Sequence, residues 1–124
     1  MNKNRLKFRA WDKLAKQFTY PDKGYQGHYV LDLNGRFHNL QNGSGGDEYV
    51  VQQWTGFVDA KGKDVYEGDF LDNSRFPITF NNGKFVVVVS GARIFDLEEF
   101  FEESIQPTVK GNIFENSELL KNDS

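Results

Sequence analysis

Four side chains near the N-terminus have the types that a nucleic-acid platform uses. Arg5, Lys7, Arg9 and Trp11 alternate with Leu6, Phe8 and Ala10. Period two therefore puts three cations and an aromatic on one strand face. Cations neutralise phosphates and aromatic rings stack on bases, which is how single strands are held. The same pattern serves structure, because Arg and Lys blunt edge strands and their stems cover apolar surface. The structural reading is preferred, with nucleic-acid binding through this face kept as the alternative.

The other reactive side chains are weaker candidates. His28 and His38 have no Cys and no second His at ligand spacing, so a metal or catalytic role needs carboxylates supplied by the fold. Glu98, Glu99, Glu102 and Glu103 are the residue types of a cation site or an acid/base pair, yet their spacing is that of a solvated helix face. In Glu67-Gly68-Asp69, Gly68 permits a bend and Asp69 can accept backbone N–H groups, a structural role. No nucleophile elbow, P-loop or dinucleotide fingerprint is present. Gly43-Ser44-Gly45-Gly46 has the composition of a phosphate loop, but no Lys-Ser/Thr follows and no helix supplies N–H groups. The expectation is no catalytic residue, no metal and no cofactor, with an enzyme built on a fold-assembled carboxylate/His site as the remote reading.

The elements that would position these groups are mostly strands. Arg5 to Trp11 alternates, Asp12-Lys13 turns, and Phe18-Thr19-Tyr20 returns. Pro21 to Gly24 is loop chemistry. Asn34-Gly35 joins two strand-like runs, and Asn82-Gly83 joins Ile78-Thr79-Phe80 to Phe85–Val89. Asn-Gly is the strongest short hairpin signal, since a type I′ turn needs positive φ at both central residues. The apolar run at Phe85–Val89 reads as a strand covered on both faces. Asp96 can cap a short helix with Glu99 at the capping-box position. Leu97, Phe100, Phe101 and Ile105 form its apolar face, and Pro107 limits its length. Phe8, Phe80, Phe85 and Phe101 are the expected core aromatics. The Gly/Ser stretch 41–47 reads as a mobile loop or a boundary, and Asn116-Ser117 as the cap of a last turn.

Composition agrees. In 124 residues Phe contributes 12, Tyr 5 and Trp 2, so 15% are aromatic, and Cys is absent. Aromatic and β-branched residues favour strands, and a chain of this length affords one modest core, since it buries about two-thirds of its unfolded surface. The net charge of -3 lacks the basic excess of a non-specific nucleic-acid binder. Without Cys there is no disulfide, thiolate chemistry or zinc finger. No apolar leader follows Met1 and no apolar run could span a bilayer, so a cytoplasmic protein is expected. Self-association through an exposed apolar patch is a further expectation.

Three motifs in order resemble the YopX protein family, small proteins known chiefly from phages and prophages. They are Lys7-Phe8-Arg9-Ala10-Trp11-Asp12, then Gln53-Trp54-Thr55-Gly56-Phe57 with Asp59 through Asp69, then Gly111-Asn112-Ile113-Phe114-Glu115-Asn116-Ser117-Glu118-Leu119-Leu120. Trp54, Phe114 and Ser117 stand where the family commonly has Tyr, Tyr and Pro. The resemblance implies a mainly β fold, with an N-terminal β part over about 1–48 and a small SH3-like barrel over about 49–120. It carries no catalytic residue and no partner. The function expected from all of this is a non-enzymatic accessory protein acting by protein contacts.

Overall fold

A computed structural model describes residues 7–20, 29–40, 48–72, 76–89, 93–103, 107–116 and 118. Arg5, His28, the Gly43–Gly46 loop and the Pro21–Gly24 loop lie outside these residues, as does most of the expected terminal turn. The fold is mainly β. The chain forms two compact units, Met1–Trp54 and Thr55–Ser124.

In the first unit β1 (Phe8–Asp12) lies between β2 (Gln17–Thr19) and β5 (Tyr49–Val58), antiparallel to both. Its N-terminal motif thus occupies an interior strand. β3 (Tyr29–Leu31) and β4 (Phe37–Asn39) form a separate hairpin. Ala10, Phe37 and Tyr49 are buried together, with Leu31 and Val51 packed against them. The Phe37 and Tyr49 rings meet edge to face at 4.9 Å.

In the second unit β6 (Asp64–Tyr66) follows as the next neighbour of β5. β7 (Asp69–Leu71) pairs with β11 (Val109–Asn112) through an irregular register. β8 (Thr79–Asn81), β9 (Lys84–Val89) and β10 (Arg93–Asp96) form an antiparallel sheet with β9 in the middle. α1 (Leu97–Glu103) follows directly. The core gathers Val65, Leu71, Ile78, Val87, Leu97 and Phe100, with Phe85, Phe95 and Phe101 against it. Val86 and Val87 are both buried. Neighbouring strand residues face opposite ways, so β9 is covered on both sides there, as its apolar run predicts. The helix exposes Glu98, Glu99 and Glu102, buries Leu97 and Phe100 and half-buries Phe101, the amphipathic arrangement expected, while Ile105 lies outside the described residues. Asp96 N donates to Glu99 Oε1 at 3.3 Å, half of a capping box.

Phe80 departs from expectation. It is 55% exposed rather than core. β8 is three residues long, stands at the margin of its sheet and turns immediately at Asn82-Gly83, so no layer covers the ring. Its contact is edge-to-face with Phe85, at 5.0 Å.

The turns are built around acidic or amide side chains. Asn82 and Gly83 have φ of 54° and 83°, left-handed at both positions as a type I′ turn requires. At Asn34-Gly35 only the glycine is left-handed, with φ 82°. The hairpin is present, but its loop is wider, because Asp32 organises it from outside the Asn-Gly pair. Asp32 Oδ1 accepts from Asn34 N and Arg36 N, each at 2.9 Å. The main chain adds Gly35 N to Asp32 O and Asp32 N to Arg36 O, also 2.9 Å.

The loop after β5 repeats this design. Asp59 Oδ1 accepts from Lys61 N and Lys63 N. Gly62 N donates to Asp59 O, and Asp59 N to Lys63 O. Gly62 takes φ 84°. A second design also occurs twice. Asp12 Oδ1 accepts from Leu14 N and Ala15 N while Lys16 N donates to Asp12 O. Asn112 Oδ1 accepts from Phe114 N and Glu115 N while Asn116 N donates to Asn112 O. Among the described residues each design thus appears once in each unit.

Gly111 is required by close approach. A Cβ there would lie 2.7 Å from Asn116 Oδ1, the same oxygen that accepts Asn112 N at 3.0 Å. Gly111→Ala is expected to cost about 1–2 kcal/mol, measured as a lowered urea midpoint at constant slope. A change below about 0.3 kcal/mol would show that Asn116 swings aside at no cost.

Candidate functional site

The basic strand face is not a free platform. Arg9 is 2% exposed. It stands directly opposite Gln52 on β5 and donates from Nε to Gln52 Oε1 at 2.8 Å. Its guanidinium lies 4.1 Å from the centre of the Phe18 ring. Trp11, half-buried, meets the other cross-strand neighbour, Phe18, edge to face at 5.0 Å. Lys7 Nζ sits 4.1 Å over Trp54. Alternation does group Lys7, Arg9 and Trp11, and Phe18 of β2 and Trp54 of β5 pack against the two cations. Cation–π contact of this kind holds charge inside a packed face. Arg9 is thereby committed to packing within this face, while Lys7 and Trp11 are half-buried and Arg5 lies outside the described residues.

His38 has a carboxylate partner, Asp32 Oδ2 at 3.0 Å from Nε2. Hydrogen bonding from His38 is the main cause holding the Asp32 carboxyl below its ordinary value, helped by the Arg36 N–H. The other oxygen of Asp32 is committed to the loop. The pair therefore fixes a hairpin end. Among the described residues no group of three His, Asp or Glu could hold a metal ion. Asp69, in Glu67-Gly68-Asp69, is buried and its Oδ2 accepts Tyr66 N at 2.9 Å, as expected of a structural residue.

A different feature, absent from the sequence reading, is a cleft of about 330 Å³ in the second unit. Phe57, Phe80, Phe85 and Leu97 give its apolar lining, and Gly83, Lys84, Asp96 and Glu98 its remaining wall. Phe57 is braced from behind by Phe101, stacked at 4.7 Å. Lys84 and Asp96 form an ion pair at 3.0 Å, so their charges cancel. Glu98 is left at the rim, with Glu102 one helical turn further along the same side. The lining comes from β5, β8, β9 and the start of α1, residues far apart in sequence. The one local signal was the brevity of the Thr79–Asn81 strand between a proline and a turn, which argues for a margin position.

The family follows from the chain as a whole. A family model described as YopX protein matches residues 7–121. The chain belongs to the YopX family. It is similar in fold to two solved structures. Against protein yopX from Bacillus subtilis the TM-score is 0.62 at 19% identity, covering 95% of this chain and 97% of that one. Against protein EF1440 from Enterococcus faecalis the TM-score is 0.51 at 22% identity, covering 93% and 97%. No curated protein matches significantly. Among the described residues no helix is long and apolar enough to cross a membrane.

The geometry explains what the YopX-like motifs do. Asp12 closes the first hairpin, Asp59 and Gly62 form the loop after β5, Asp69 holds Tyr66 N, and Gly111, Asn112 and Asn116 interlock. These residues are turn chemistry. Of the motif residues only Phe57 lines the cleft.

Proposed function

We propose that this YopX-family chain is a phage- or prophage-type accessory protein of the cytoplasm that works by non-enzymatic protein contacts. The observation that carries this reading is Phe80, a large aromatic held at 55% exposure beside an apolar cleft. Exposed aromatics at apolar depressions are the usual anchors of protein interfaces. The short antiparallel strands of the second unit, with β11 returning to β7, support reading it as the small SH3-like barrel that the family resemblance implies.

The test compares tagged wild-type chain, Phe80→Ser and Leu33→Ser on bacterial lysate, with quantitative mass spectrometry. Leu33 is also exposed but lies in the first unit. At least one protein is expected to be enriched by wild type and Leu33→Ser and to fall about tenfold, equivalent to about 1.4 kcal/mol, with Phe80→Ser. An identical set of proteins on all three baits, or none on any, overturns the reading.

A further inference from the structure

Resting on that reading, we infer that the second-unit cleft receives a positively charged peptide segment bearing one large aliphatic or aromatic anchor. The volume of about 330 Å³ stands at the lower end of the range of about 300–1,000 Å³ found for small-ligand sites, and suits one or two side chains. The lining offers little to orient a polar small molecule. Phe57, Phe80, Phe85 and Leu97 are apolar, and the two charges within reach, Lys84 and Asp96, already neutralise each other at 3.0 Å.

The charge that remains is of one sign. Glu98 lines the cleft, and Glu99 and Glu102 stand exposed on the same helix. Among the described residues none of these three carboxylates has a cationic side chain in ion-pair contact. A partner whose anchor enters the cleft must lay its flanking residues along this rim. Lys or Arg flanks gain attraction there and Asp or Glu flanks meet like charge. The same rim repels nucleic acid and anionic lipid, which leaves a basic protein segment as the matching occupant.

The experiment uses the full chain and short synthetic peptides with a central Leu or Phe, flanked by Lys or by Glu, plus a Lys-flanked peptide with central Ala. Binding is followed by fluorescence anisotropy, with NMR shifts to locate it. The Lys-flanked Leu or Phe peptide is expected to bind at least about tenfold tighter than its Glu-flanked and Ala counterparts. Its affinity should fall as salt rises from about 0.05 to about 0.5 M. Phe80→Ser should weaken it about tenfold or more. Glu98→Gln with Glu102→Gln should narrow the Lys-over-Glu preference while leaving the Leu-over-Ala preference. No saturable binding below about 1 mM, or equal affinity for Lys and Glu flanks, overturns the inference. Phe80-dependent binding of the Glu-flanked peptide would sink the charge assignment and leave cleft docking standing. A bound Lys-flanked peptide without any Phe80-dependent lysate protein would overturn the proposed function and leave this inference standing.

Discussion

Asp59→Ala is expected to destabilise the second unit by about 3–4 kcal/mol, since each hydrogen bond to a charged acceptor contributes roughly 1.5–3 kcal/mol. Asp59 is 7% exposed. Its Oδ1 accepts Lys61 N at 2.8 Å and Lys63 N at 2.9 Å, and its Oδ2 accepts Val109 N at 3.0 Å. The two lysine N–H groups lie in an exposed loop, so water replaces the carboxylate there. Val109 is half-buried and 50 positions away, so the link that ties the loop to β11 is not replaced. Asp59→Asn keeps one acceptor but turns an NH₂ toward Val109 N–H, and about 2 kcal/mol of loss is expected. Urea unfolding at neutral pH measures both, and losses under about 0.5 kcal/mol would refute this account.

The pH dependence has a definite sign. Burial alone would raise the Asp59 carboxyl, but the N–H groups of Val109, Lys63 and Lys61, with the charge of Lys63, outweigh it and hold the folded value below 3.8. The carboxylate's contribution is therefore complete above 3.8 and is lost as pH falls through the lower folded value. The gap between wild type and Asp59→Ala should stay constant down to that region and narrow only beneath it.

Arg9→Ala is the second large effect, about 3 kcal/mol in the first unit. Truncation removes the donor of a buried bond at 2.8 Å to Gln52, which is itself 4% exposed. It also removes the stem and guanidinium packed on Phe18. An unsatisfied buried acceptor costs about 1–3 kcal/mol, and the lost cation–π contact and packing add about 1–2. Arg9→Lys keeps the charge but not the flat Nε donor, and about half the loss is expected. A double-mutant cycle with Gln52→Ala should give a coupling of about 1 kcal/mol or more. A fully stable Arg9→Ala whose only defect lay in nucleic-acid binding would restore the platform reading of this strand.

Much of the fold was legible because it depends on neighbours in sequence. Alternation located β1, and Asn82-Gly83 located a two-residue hairpin whose φ angles agree. The short helix announced itself through Leu97, Phe100 and the facing glutamates. What was misread depends on partners elsewhere. Period two groups Lys7, Arg9 and Trp11 but does not say that Arg9 is buried against Gln52 and Phe18 from the two neighbouring strands. Asn34-Gly35 reads as a type I′ turn until Asp32, two residues earlier, takes the N–H groups. Phe80 has the residue type of a core position, and only the sheet order shows that nothing covers it. The cleft was invisible because its lining spans Phe57 to Glu98, and no local period links those residues.

The twin loops at Asp32 and Asp59 amount to a mounting frame. The frame is specified by one carboxylate and one glycine three residues later, and its bonds join that carboxylate and two backbone C=O groups to backbone N–H groups. The side chain just after the Asp takes no part in them. That place holds Leu33, fully exposed, in one loop, and Ala60, also exposed, in the other. The same rigid bracket can thus present different side chains to solvent without being rebuilt, so this position can change its cargo while the hairpin beneath it keeps its shape.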